Sequence, residues 1–521
     1  MTIHSSPLPD ITVPEQSLTP FVFERAADRA SKPALIDGTS GRTVTYADLA
    51  DQVQRLAGGL HEDGLRKGET VAVLAPNCPE YAVVLLGTTL AGGVVTTVNP
   101  TYTVGEVHHQ LADSGATRLV TIPSLADIAN QAIDGTGVAE TFLIGESNSA
   151  SDSLSSLFGE PSSDLGHSSV EDIAVLPYSS GTTGWPKGVM LSHRNQVSNI
   201  VQAQAAIPVD ESDTFVAVLP FFHIYGMQVL MNLGLRAGAT IVTMPRFDLE
   251  TFLRLSETYR TTRAFVAPPM VLALAKHPMV DKFDLSSLQT IFSGAAPLSA
   301  DLASEASRRL SCEVIQGYGM TELSPVSHAT PPGKFKPGSV GVTVPGTETV
   351  VVDPLTTTPL ITGEDGEVWI RGPQVMKGYL NNPEATRATI DEAGWLHTGD
   401  IGHVDEDGHL FIVDRLKELI KYKGFQVAPA ELEALLLTHP QVTDAAVIGC
   451  PDDEAGELPT AFVVLAEDGS VDPTELQQYT SSRLATYKHI HQFHFVAEIP
   501  KSASGKILRR VLRERLGQLT Q

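Results

Sequence analysis

The sequence predicts an α/β protein, with a large multi-lobed amino-terminal domain of mainly parallel sheets and a small mobile α+β carboxy-terminal domain. Two observations lead to this prediction. Through about the first 400 residues, short β-branched runs alternate with longer helical patterns, as at 70–75, 118–122 and 240–244, which is typical of parallel α/β units. Near residue 405 the pattern changes to short strands and tight turns, which indicates a separate carboxy-terminal unit.

The composition is that of a large globular protein. The chain has 521 residues, 42% of them hydrophobic and 19% charged, so it can bury a sizeable core. Its formal charge of −25 argues against a nucleic-acid or membrane-surface role, because a polyanionic partner would be repelled. The three cysteines lie far apart and residues 1–15 lack a signal-peptide pattern, so we expect a cytoplasmic protein without disulfides or zinc.

One uncharged stretch, residues 81–99, is long enough to be tested as a membrane span. Its glycines and threonines make it a poor candidate. We predict instead a buried helix that begins near Asn77 and Pro79 and ends at Gly92, followed by a buried strand at 94–98. The Gly/Ser-rich segment 145–169 is predicted to be a surface loop within the large domain.

The small domain is predicted from a series of short elements that follow an Asp-Gly turn at 405–408. We place the large domain at 1–413, a hinge at 414–417 and the small domain at 418–521. A hairpin of strands 403–404 and 410–413 marks the change in pattern, and the elements predicted after it are helices at 429–437, 473–484 and 507–516 and strands at 445–449 and 461–466.

The strongest local motif is Tyr178-Ser-Ser-Gly-Thr-Thr-Gly-Trp-Pro-Lys-Gly188, which follows an apolar strand at 173–176. Small hydroxyl and glycine residues can turn their backbone N–H groups and hydroxyls toward phosphate oxygens, and Lys187 supplies positive charge. The spacing does not match the P-loop of nucleotide triphosphatases, because Gly188 follows the lysine. We therefore predict a phosphate-binding loop of a different kind.

Two further motifs favour a nucleotide site. In Gln316-Gly-Tyr-Gly-Met-Thr-Glu322 the glycines allow close approach to a flat ligand, Tyr318 offers a stacking face and Glu322 could hold Mg²⁺. In Gly394-Trp-Leu-His-Thr-Gly-Asp400 the final carboxylate is suited to accepting both hydroxyls of a ribose. Arg415 follows fifteen residues later and could bind the same sugar.

A last motif, Ile499-Pro-Lys-Ser-Ala-Ser-Gly-Lys506, is a polar loop that ends in a lysine before a basic helix. Lysines in such loops are usually solvated. A lysine held over a reacting phosphate would instead stabilise the charge that develops on the α-phosphoryl group.

With these motifs in this order, the sequence resembles the adenylate-forming superfamily of acyl-CoA synthetases, luciferases and peptide-synthetase adenylation domains. Within it, the chain is most similar to 4-coumarate:CoA ligases and bacterial cinnamate-activating relatives. The resemblance extends over nearly the whole chain. It includes Thr45–Leu49, Leu219–Gly226, Ser293–Pro297, Lys421–Glu433 and Lys506.

The resemblance implies an ATP-dependent enzyme that forms an acyl-AMP and passes the acyl group to coenzyme A, with Mg²⁺ bound by Glu322. It implies that Lys506 bridges the carboxylate and the α-phosphate, that His223 lies beside the acyl carboxylate, and that Lys417 is the hinge. Coenzyme A would contact Lys421, Lys423 and Gly424. The ATP and AMP contacts it implies are Ser179, Ser180, Gly181, Thr182, Thr183, Gly184, Lys187, Gly294, Ala295, Gln316, Gly317, Tyr318, Gly319, Thr321, Asp400 and Arg415.

The resemblance also places a set of residues around the acyl group, and their character predicts a planar aryl-propenoate such as 4-coumarate or cinnamate. Glycines are expected to leave room for a flat ring, Phe265 and Phe292 to offer aromatic faces, and Gln228 to be the only group able to bind a ring hydroxyl. The set is Ile224, Tyr225, Gly226, Gln228, Phe265, Phe292, Gly294, Gly317, Gly319, Pro325 and Val326.

Other functions are compatible with parts of the pattern. A medium-chain fatty acid could occupy an apolar tunnel of this kind. A luciferase-like oxygenase or a peptide-synthetase loading enzyme would share the first half-reaction, and a catalytically silent nucleotide-binding protein is the alternative that is not an enzyme. The presence of Lys506, Glu322 and Asp400 argues against the last of these.

Overall fold

The computed structural model describes residues 2–145, 153–161, 168–179, 185–452, 454–466, 469–503 and 505–519, with side chains placed as far as residue 516. No helix in these ranges is both long enough and apolar enough to cross a membrane. The stretch 81–99 is instead a buried helix, Pro79–Leu90, followed by a buried strand, Val94–Val98. The prediction for this stretch is confirmed.

The bounds of the strands and helices are as follows. The strands are β1 His4–Ser5, β2 Pro33–Asp37, β3 Thr43–Thr45, β4 Thr70–Leu74, β5 Val94–Val98, β6 Ala116–Thr121, β7 Glu140–Leu143, β8 Ile173–Val175, β9 Tyr178–Ser179, β10 Lys187–Ser192, β11 Thr214–Ala217, β12 Thr240–Thr243, β13 Arg263–Val266, β14 Thr290–Ser293, β15 Glu313–Gly319, β16 Val326–Ala329, β17 Val342–Thr343, β18 Glu348–Val352, β19 Gly366–Arg371, β20 Gly378–Tyr379, β21 Leu396–Val404, β22 Leu410–Arg415, β23 Ile420–Tyr422, β24 Phe425–Val427, β25 Val442–Asp452, β26 Gly456–Leu465 and β27 Gln492–Phe495. The α-helices are α1 Leu18–Phe23, α2 Tyr46–Glu62, α3 Pro79–Leu90, α4 Val104–Ser114, α5 Ala126–Ala132, α6 His193–Ala206, α7 Leu233–Ala237, α8 Leu249–Thr258, α9 Pro268–Lys276, α10 Ala300–Leu310, α11 Pro383–Thr389, α12 Pro429–Leu437, α13 Pro473–Ser481 and α14 Arg509–Leu519. Short 3-10 helices lie at Ala26–Arg29, Pro123–Leu125, Leu154–Leu157, Pro278–Lys282, Thr321–Leu323 and Thr486–Lys488, and a π-helix spans Tyr225–Asn232.

Two large sheets, both mainly parallel, form the centre of the large domain. One has the order β7-β6-β4-β5-β8-β10-β20, with parallel pairing from β7 to β8 and antiparallel pairing at β10 and β20. The other has the order β3-β2-β12-β11-β13-β14-β15-β16-β17 and is parallel from β2 to β15. A continuous hydrophobic core joins them. The predicted α/β class is confirmed.

A third sheet, β1-β18-β19-β21-β22, is antiparallel throughout. Apart from β1, its strands begin at Glu348, well before residue 405, so the change in pattern lies earlier in the chain than the sequence predicts. The predicted hairpin is its last part. Asp405 Oδ1 accepts the N–H groups of Asp407 and His409 at 3.0 and 2.9 Å, and Gly408 has a φ of +80°, which together make the tight turn.

Residues from Ile420 onward form a small α+β unit around its own sheet, β24-β23-β26-β25, with β27 parallel to β26. Two hydrophobic clusters within this unit are separate from the main core. The predicted helix 429–437 has these bounds, whereas the helices predicted at 473–484 and 507–516 span Pro473–Ser481 and Arg509–Leu519. The strand predicted at 445–449 lies within the longer β25, and the strand predicted at 461–466 overlaps β26, which starts earlier and ends at Leu465.

The predicted surface loop 145–169 is wrong for at least one part. Leu154 and Leu157, in a 3-10 helix, are only 4% and 6% exposed and belong to the main core. At Gly59 of α2, a side chain would collide with the carbonyl oxygen of Leu157. The segment therefore packs against α2 through its leucines, which polar composition alone did not indicate. Much of the rest of the loop lies outside the described residues.

Candidate active site

The phosphate loop predicted at 178–188 is closed at its base by strand pairing. In the antiparallel pair β9–β10, Ser179 lies opposite Lys187 and Tyr178 opposite Gly188. Ser180, Gly181, Thr182, Thr183 and Gly184 lie outside the described residues. The chain then enters α6, where Ser192 and Asn195 cap each other in a capping box. Both ends of the loop are thus fixed to regular structure.

Glu322 lies in a buried 3-10 turn, Thr321–Leu323, that contacts β10. Glu322 is only 3% exposed, and its Oε1 accepts a hydrogen bond from the hydroxyl of Tyr379 at 2.8 Å. The ammonium of Lys187 stands over the ring of Tyr379, 5.0 Å from its centroid. Thr321, which is predicted to contact ATP, precedes Glu322 in the turn and is 9% exposed. Glu322 and Lys187 therefore contact the same tyrosine, Glu322 at its hydroxyl and Lys187 at its ring.

Asp400, Arg415 and Tyr318 form a second cluster. Asp400 Oδ2 accepts the Tyr318 hydroxyl at 2.5 Å, and Asp400 Oδ1 lies 3.2 Å from Arg415 Nε. Asp400 and Arg415 are opposite each other in the β21–β22 pair, which explains their proximity. Burial, followed by the charge of Asp400, raises the pKa of Tyr318, so its hydroxyl stays protonated and donates. Asp400 likewise raises the pKa of Arg415.

The loop that follows β14 carries Gly294 and Ala295. The N–H of Gly294 donates to the carbonyl of Val266 at 3.1 Å, and Ala295 is held at a φ of +73°. Gln316 supports this loop: its buried amide oxygen accepts the N–H of Leu298 at 3.1 Å and its amide nitrogen reaches Ser339 O at 3.4 Å. The Gln316 side chain is therefore bonded to the protein itself.

The glycines predicted for the acyl site lie close to other residues of that set, but their environment differs from the one expected. A side chain at Gly226 would meet the carbonyl oxygen of Pro220 at 2.2 Å, and one at Gly319 the carbonyl oxygen of Pro325 at 2.0 Å. At Gly317 it would meet the ring of Phe292 at 2.4 Å. The expectation that these glycines leave room for a substrate ring is wrong, because protein atoms already fill the space.

Three aromatic rings stand in a row across this region. Tyr225 and Phe292 have centroids 6.4 Å apart, and Phe292 and Phe265 have centroids 5.8 Å apart. The Tyr225 hydroxyl donates to the carbonyl of Phe292 at 3.1 Å. Phe265, at 1% exposure, packs edge-on against Phe215 and so belongs to the core more than to a binding surface. Ile224, Pro325 and Val326 are also buried.

Gln228 is not placed to bind a ring hydroxyl. It is 1% exposed, its amide nitrogen donates to the carbonyl of Gln196 at 2.7 Å, and its amide oxygen accepts from Asn232 at 2.9 Å. A substrate hydroxyl would have to break one of these bonds. The predicted role of Gln228 therefore conflicts with its contacts.

His223 and Lys506 approach this region from opposite domains. The N–H of Tyr225 donates to His223 Nδ1 at 3.3 Å. Burial lowers the pKa of His223 to about 3, with a further contribution from Lys506, so the imidazole is neutral at pH 7. Burial likewise lowers the pKa of Lys506, and Arg415 adds to this effect while Glu322 and Asp400 oppose it.

The loop that carries Lys506 is a tight hairpin seated on the large domain. Ser502 N donates to Lys506 O at 2.8 Å, and Gly505 N donates to Ser502 O at 2.8 Å. A side chain at Gly505 would lie 3.1 Å from Cβ of Ala267, just before α9. This contact brings the tip of the small domain to the cluster of Glu322, Asp400 and Arg415.

The residues predicted for coenzyme A lie elsewhere on the small domain. Lys421, Lys423 and Gly424 are exposed on the β23–β24 hairpin, with Lys423 and Gly424 at φ values of +47° and +84°. The backbone N–H groups of Lys421 and Lys423 bond to Glu457 and Ala455 of the same domain, at 2.7 and 2.8 Å. Lys417 is exposed in the turn between β22 and β23.

The comparison with known protein families decides what this arrangement is. The family model described as AMP-binding enzyme matches residues 22–380, and the AMP-binding enzyme C-terminal domain matches residues 431–506. The chain belongs to the AMP-binding enzyme family. A curated relative, 4-coumarate-CoA ligase 1 of Narcissus pseudonarcissus, is 44% identical over 99% of this chain and 96% of its own length.

Solved structures of AMP-binding enzymes agree with the fold. ATP-bound MatB from Rhodopseudomonas palustris has a TM-score of 0.88 at 31% identity, covering 97% of this chain and all of its own. The anthranilate CoA ligase AuaEII, solved with anthranoyl-AMP, has a TM-score of 0.91 at 27% identity and covers 98% and 99%. This chain is accordingly an adenylate-forming acid:CoA ligase that uses ATP and coenzyme A.

One residue of this AMP-binding enzyme site is missing from the sequence predictions. Tyr379 touches both Glu322 and Lys187, yet it lies far from each in sequence. Its neighbours Lys377 and Gly378 carry no nucleotide-binding pattern. Only the pairing of β10 with β20, a long-range contact, brings Tyr379 to the loop. The one hint in the sequence is Gly378, the residue before Tyr379, because its φ of +141° is a backbone conformation that favours glycine.

Proposed function

We propose that the acid activated by this enzyme is an aryl-propenoate such as 4-coumarate or cinnamate. The observation that carries the proposal is the similarity to 4-coumarate ligases over nearly the full length of both chains. The neighbouring rings of Tyr225 and Phe292 support it, since Tyr225 bonds to His223 through its N–H and its ring lies against Gly294, in the loop after β14. Aromatic faces of this kind favour a flat conjugated acid.

We propose the following roles in the first half-reaction. A carboxylate oxygen of the acid attacks the α-phosphorus of ATP, and the bond to the bridging oxygen of pyrophosphate breaks. The phosphate loop, Ser179 to Lys187, binds the phosphates, while Asp400 and Arg415 bind the ribose. Lys506 stabilises the charge on the α-phosphoryl group, for which its place within reach of Glu322 and Asp400 is suitable. His223, neutral at pH 7, orients the carboxylate without repelling the lysine.

Mg²⁺ belongs to the same proposal. Within the described residues there is no group of three or more His, Cys, Asp or Glu side chains that could hold a metal by itself. Mg²⁺ is commonly bound by one or two carboxylates together with substrate phosphates, so the single buried carboxylate of Glu322 near the phosphate loop fits. When bound, the ion would neutralise phosphate charge.

The second half-reaction needs a different face of the small domain. We propose that residues 1–413 and 418–521 are the two domains and that 414–417 is the hinge, with Lys417 as the pivot. Rotation would withdraw Lys506 and bring Lys421, Lys423 and Gly424 toward the acyl-AMP. The thiol sulfur of coenzyme A then attacks the acyl carbonyl, and AMP leaves. The exposed Lys417, between β22 and β23, is well placed for such a turn.

Selectivity for a ring hydroxyl is expected to be weak, because Gln228 is bonded to Gln196 and Asn232. We expect kcat/KM for cinnamate and 4-coumarate to agree within about tenfold, a difference of about 1.4 kcal/mol at most. The measurement is kcat/KM for cinnamate, 4-coumarate, benzoate, hexanoate and decanoate at saturating ATP and coenzyme A. Decanoate preferred over both propenoates by about a hundredfold would contradict the aromatic substrate and favour a fatty acid.

A further inference from the structure

Tyr379 is the point at which two parts of the site meet. Its hydroxyl donates to Glu322 Oε1 at 2.8 Å, and its ring lies under the ammonium of Lys187 at 5.0 Å. Tyr379 is 8% exposed, so its hydroxyl and most of its ring are shielded from water. The hydroxyl of the tyrosine thus meets the proposed metal carboxylate, and the ring meets the lysine of the phosphate loop.

The backbone around Tyr379 is fixed to the same two parts. Val189 lies opposite Tyr379 in the β10–β20 pair, and Leu380 N donates to Gly188 O at 2.8 Å. On the other side, Met376 N donates to the backbone carbonyl of Glu322 at 2.9 Å. The segment 376–380 therefore bonds to the stem of the phosphate loop and to the turn of Glu322 with its backbone as well as its side chain.

We propose that Tyr379 is a positioning residue that couples the Mg²⁺ carboxylate to the phosphate loop. Its hydroxyl orients the carboxylate of Glu322, and its ring holds the ammonium of Lys187 by a cation–π contact. The inference rests on the proposed roles of Glu322 and Lys187. It implies that the two contacts are separable: the hydroxyl acts on the metal, and the ring acts on the phosphates.

Two substitutions separate these contacts. Tyr379→Phe keeps the ring under Lys187 and removes the hydroxyl from Glu322, whereas Tyr379→Leu removes both. Without an acid present ATP is not consumed, so its dissociation constant can be measured by calorimetry, once in EDTA and once in saturating Mg²⁺. The dissociation constant in EDTA divided by the one in Mg²⁺ is the coupling ratio. It reports how strongly the metal and ATP support each other's binding.

For Tyr379→Phe we expect this ratio to fall about tenfold, in line with the loss of a partner that orients a metal ligand, while the ATP dissociation constant in EDTA stays within about twofold of wild type. For Tyr379→Leu we expect the same loss of the ratio and, in addition, ATP binding in EDTA weakened about threefold or more, because Lys187 loses its ring.

The matched control is Tyr178→Phe. Tyr178 lies at the base of the same loop and its hydroxyl donates to Asp113 at 2.7 Å, so the variant also loses a partly buried tyrosine hydroxyl but not one on Glu322. Its ratio should stay at the wild-type value. Glu322→Gln should lower the ratio at least as much as Tyr379→Phe.

The outcomes are distinguishable. If Glu322→Gln lowers the ratio and Tyr379→Phe does not, the coupling through Tyr379 is wrong while the proposed metal site stands. If Glu322→Gln leaves the ratio unchanged, the metal site and the coupling are both wrong. Equal losses in Tyr379→Phe and Tyr178→Phe, with a lowered melting temperature in both, would mean that the hydroxyls support only the fold, and would overturn the proposal.

Discussion

Replacing Lys506 by alanine should lower the rate of acyl-AMP formation by about a hundred- to a thousandfold or more, because a single preorganised charge stabiliser in a dry site contributes this much. Lys506 lies within electrostatic reach of Glu322, Asp400 and Arg415, at the tip of a loop seated on the large domain. Thioester formation from chemically prepared acyl-AMP should be nearly unchanged. The two rates are measured separately, the first without coenzyme A.

Lys501→Ala is the matched control for this experiment. Lys501 lies in the same loop, but its ammonium is paired with Asp444 of the small domain at 2.5 Å. Its loss should leave the rate of acyl-AMP formation within a few-fold of wild type, since partly exposed ion pairs contribute little. Equal losses of both half-reactions in Lys506→Ala, with an unchanged melting temperature, would show that its role is not restricted to adenylation.

Replacing Lys417 by proline should have the opposite effect on the two half-reactions. Proline fixes φ and restricts the rotation that we propose for the small domain. Within the described chain the Lys417 N–H donates no hydrogen bond, so proline removes none there. Since the structure already places Lys506 at the site, we expect acyl-AMP formation to persist and thioester formation to fall about a hundredfold or more.

Lys417→Ala separates the backbone from the side chain in this test. It removes the ammonium but leaves φ free, so both half-reactions should stay near their wild-type rates. A stopped-flow measurement of acyl-AMP formation and of its consumption by coenzyme A gives both rates for each variant. Unchanged overall turnover by Lys417→Pro would contradict the role of Lys417 as a hinge. An equal loss of thioester formation in Lys417→Ala would assign the effect to the lost charge.

Sequence reasoning located the parts of the site that depend on local structure. Asp400 and Arg415 are joined by one hairpin, whose Asp-Gly turn is visible in the sequence, and Ser179 and Lys187 are the two ends of one loop. It also gave the helix Pro79–Leu90 and the strand after it, because buried elements with glycine and proline at their ends have a clear pattern.

The rest depended on contacts between distant segments. Tyr379 reaches Lys187 only through the β10–β20 pair, and Gln228 is bonded to α6, so neither role could be deduced from local pattern. The three glycines of the acyl region admit neighbouring protein atoms, not a ligand, and a sequence cannot distinguish these two causes. The antiparallel strands β18 and β19, with five and six residues, were not assigned from the sequence.

The most direct test of the central claim, that this enzyme activates a carboxylic acid as an acyl-AMP, is acid-dependent exchange of labelled pyrophosphate into ATP without coenzyme A. We predict that 4-coumarate or cinnamate starts the exchange, that it stays at background without an acid, and that Lys506→Ala abolishes most of it. Background exchange with every acid of the panel, from a protein that still binds ATP, would contradict the claim and favour a nucleotide-binding protein without catalysis.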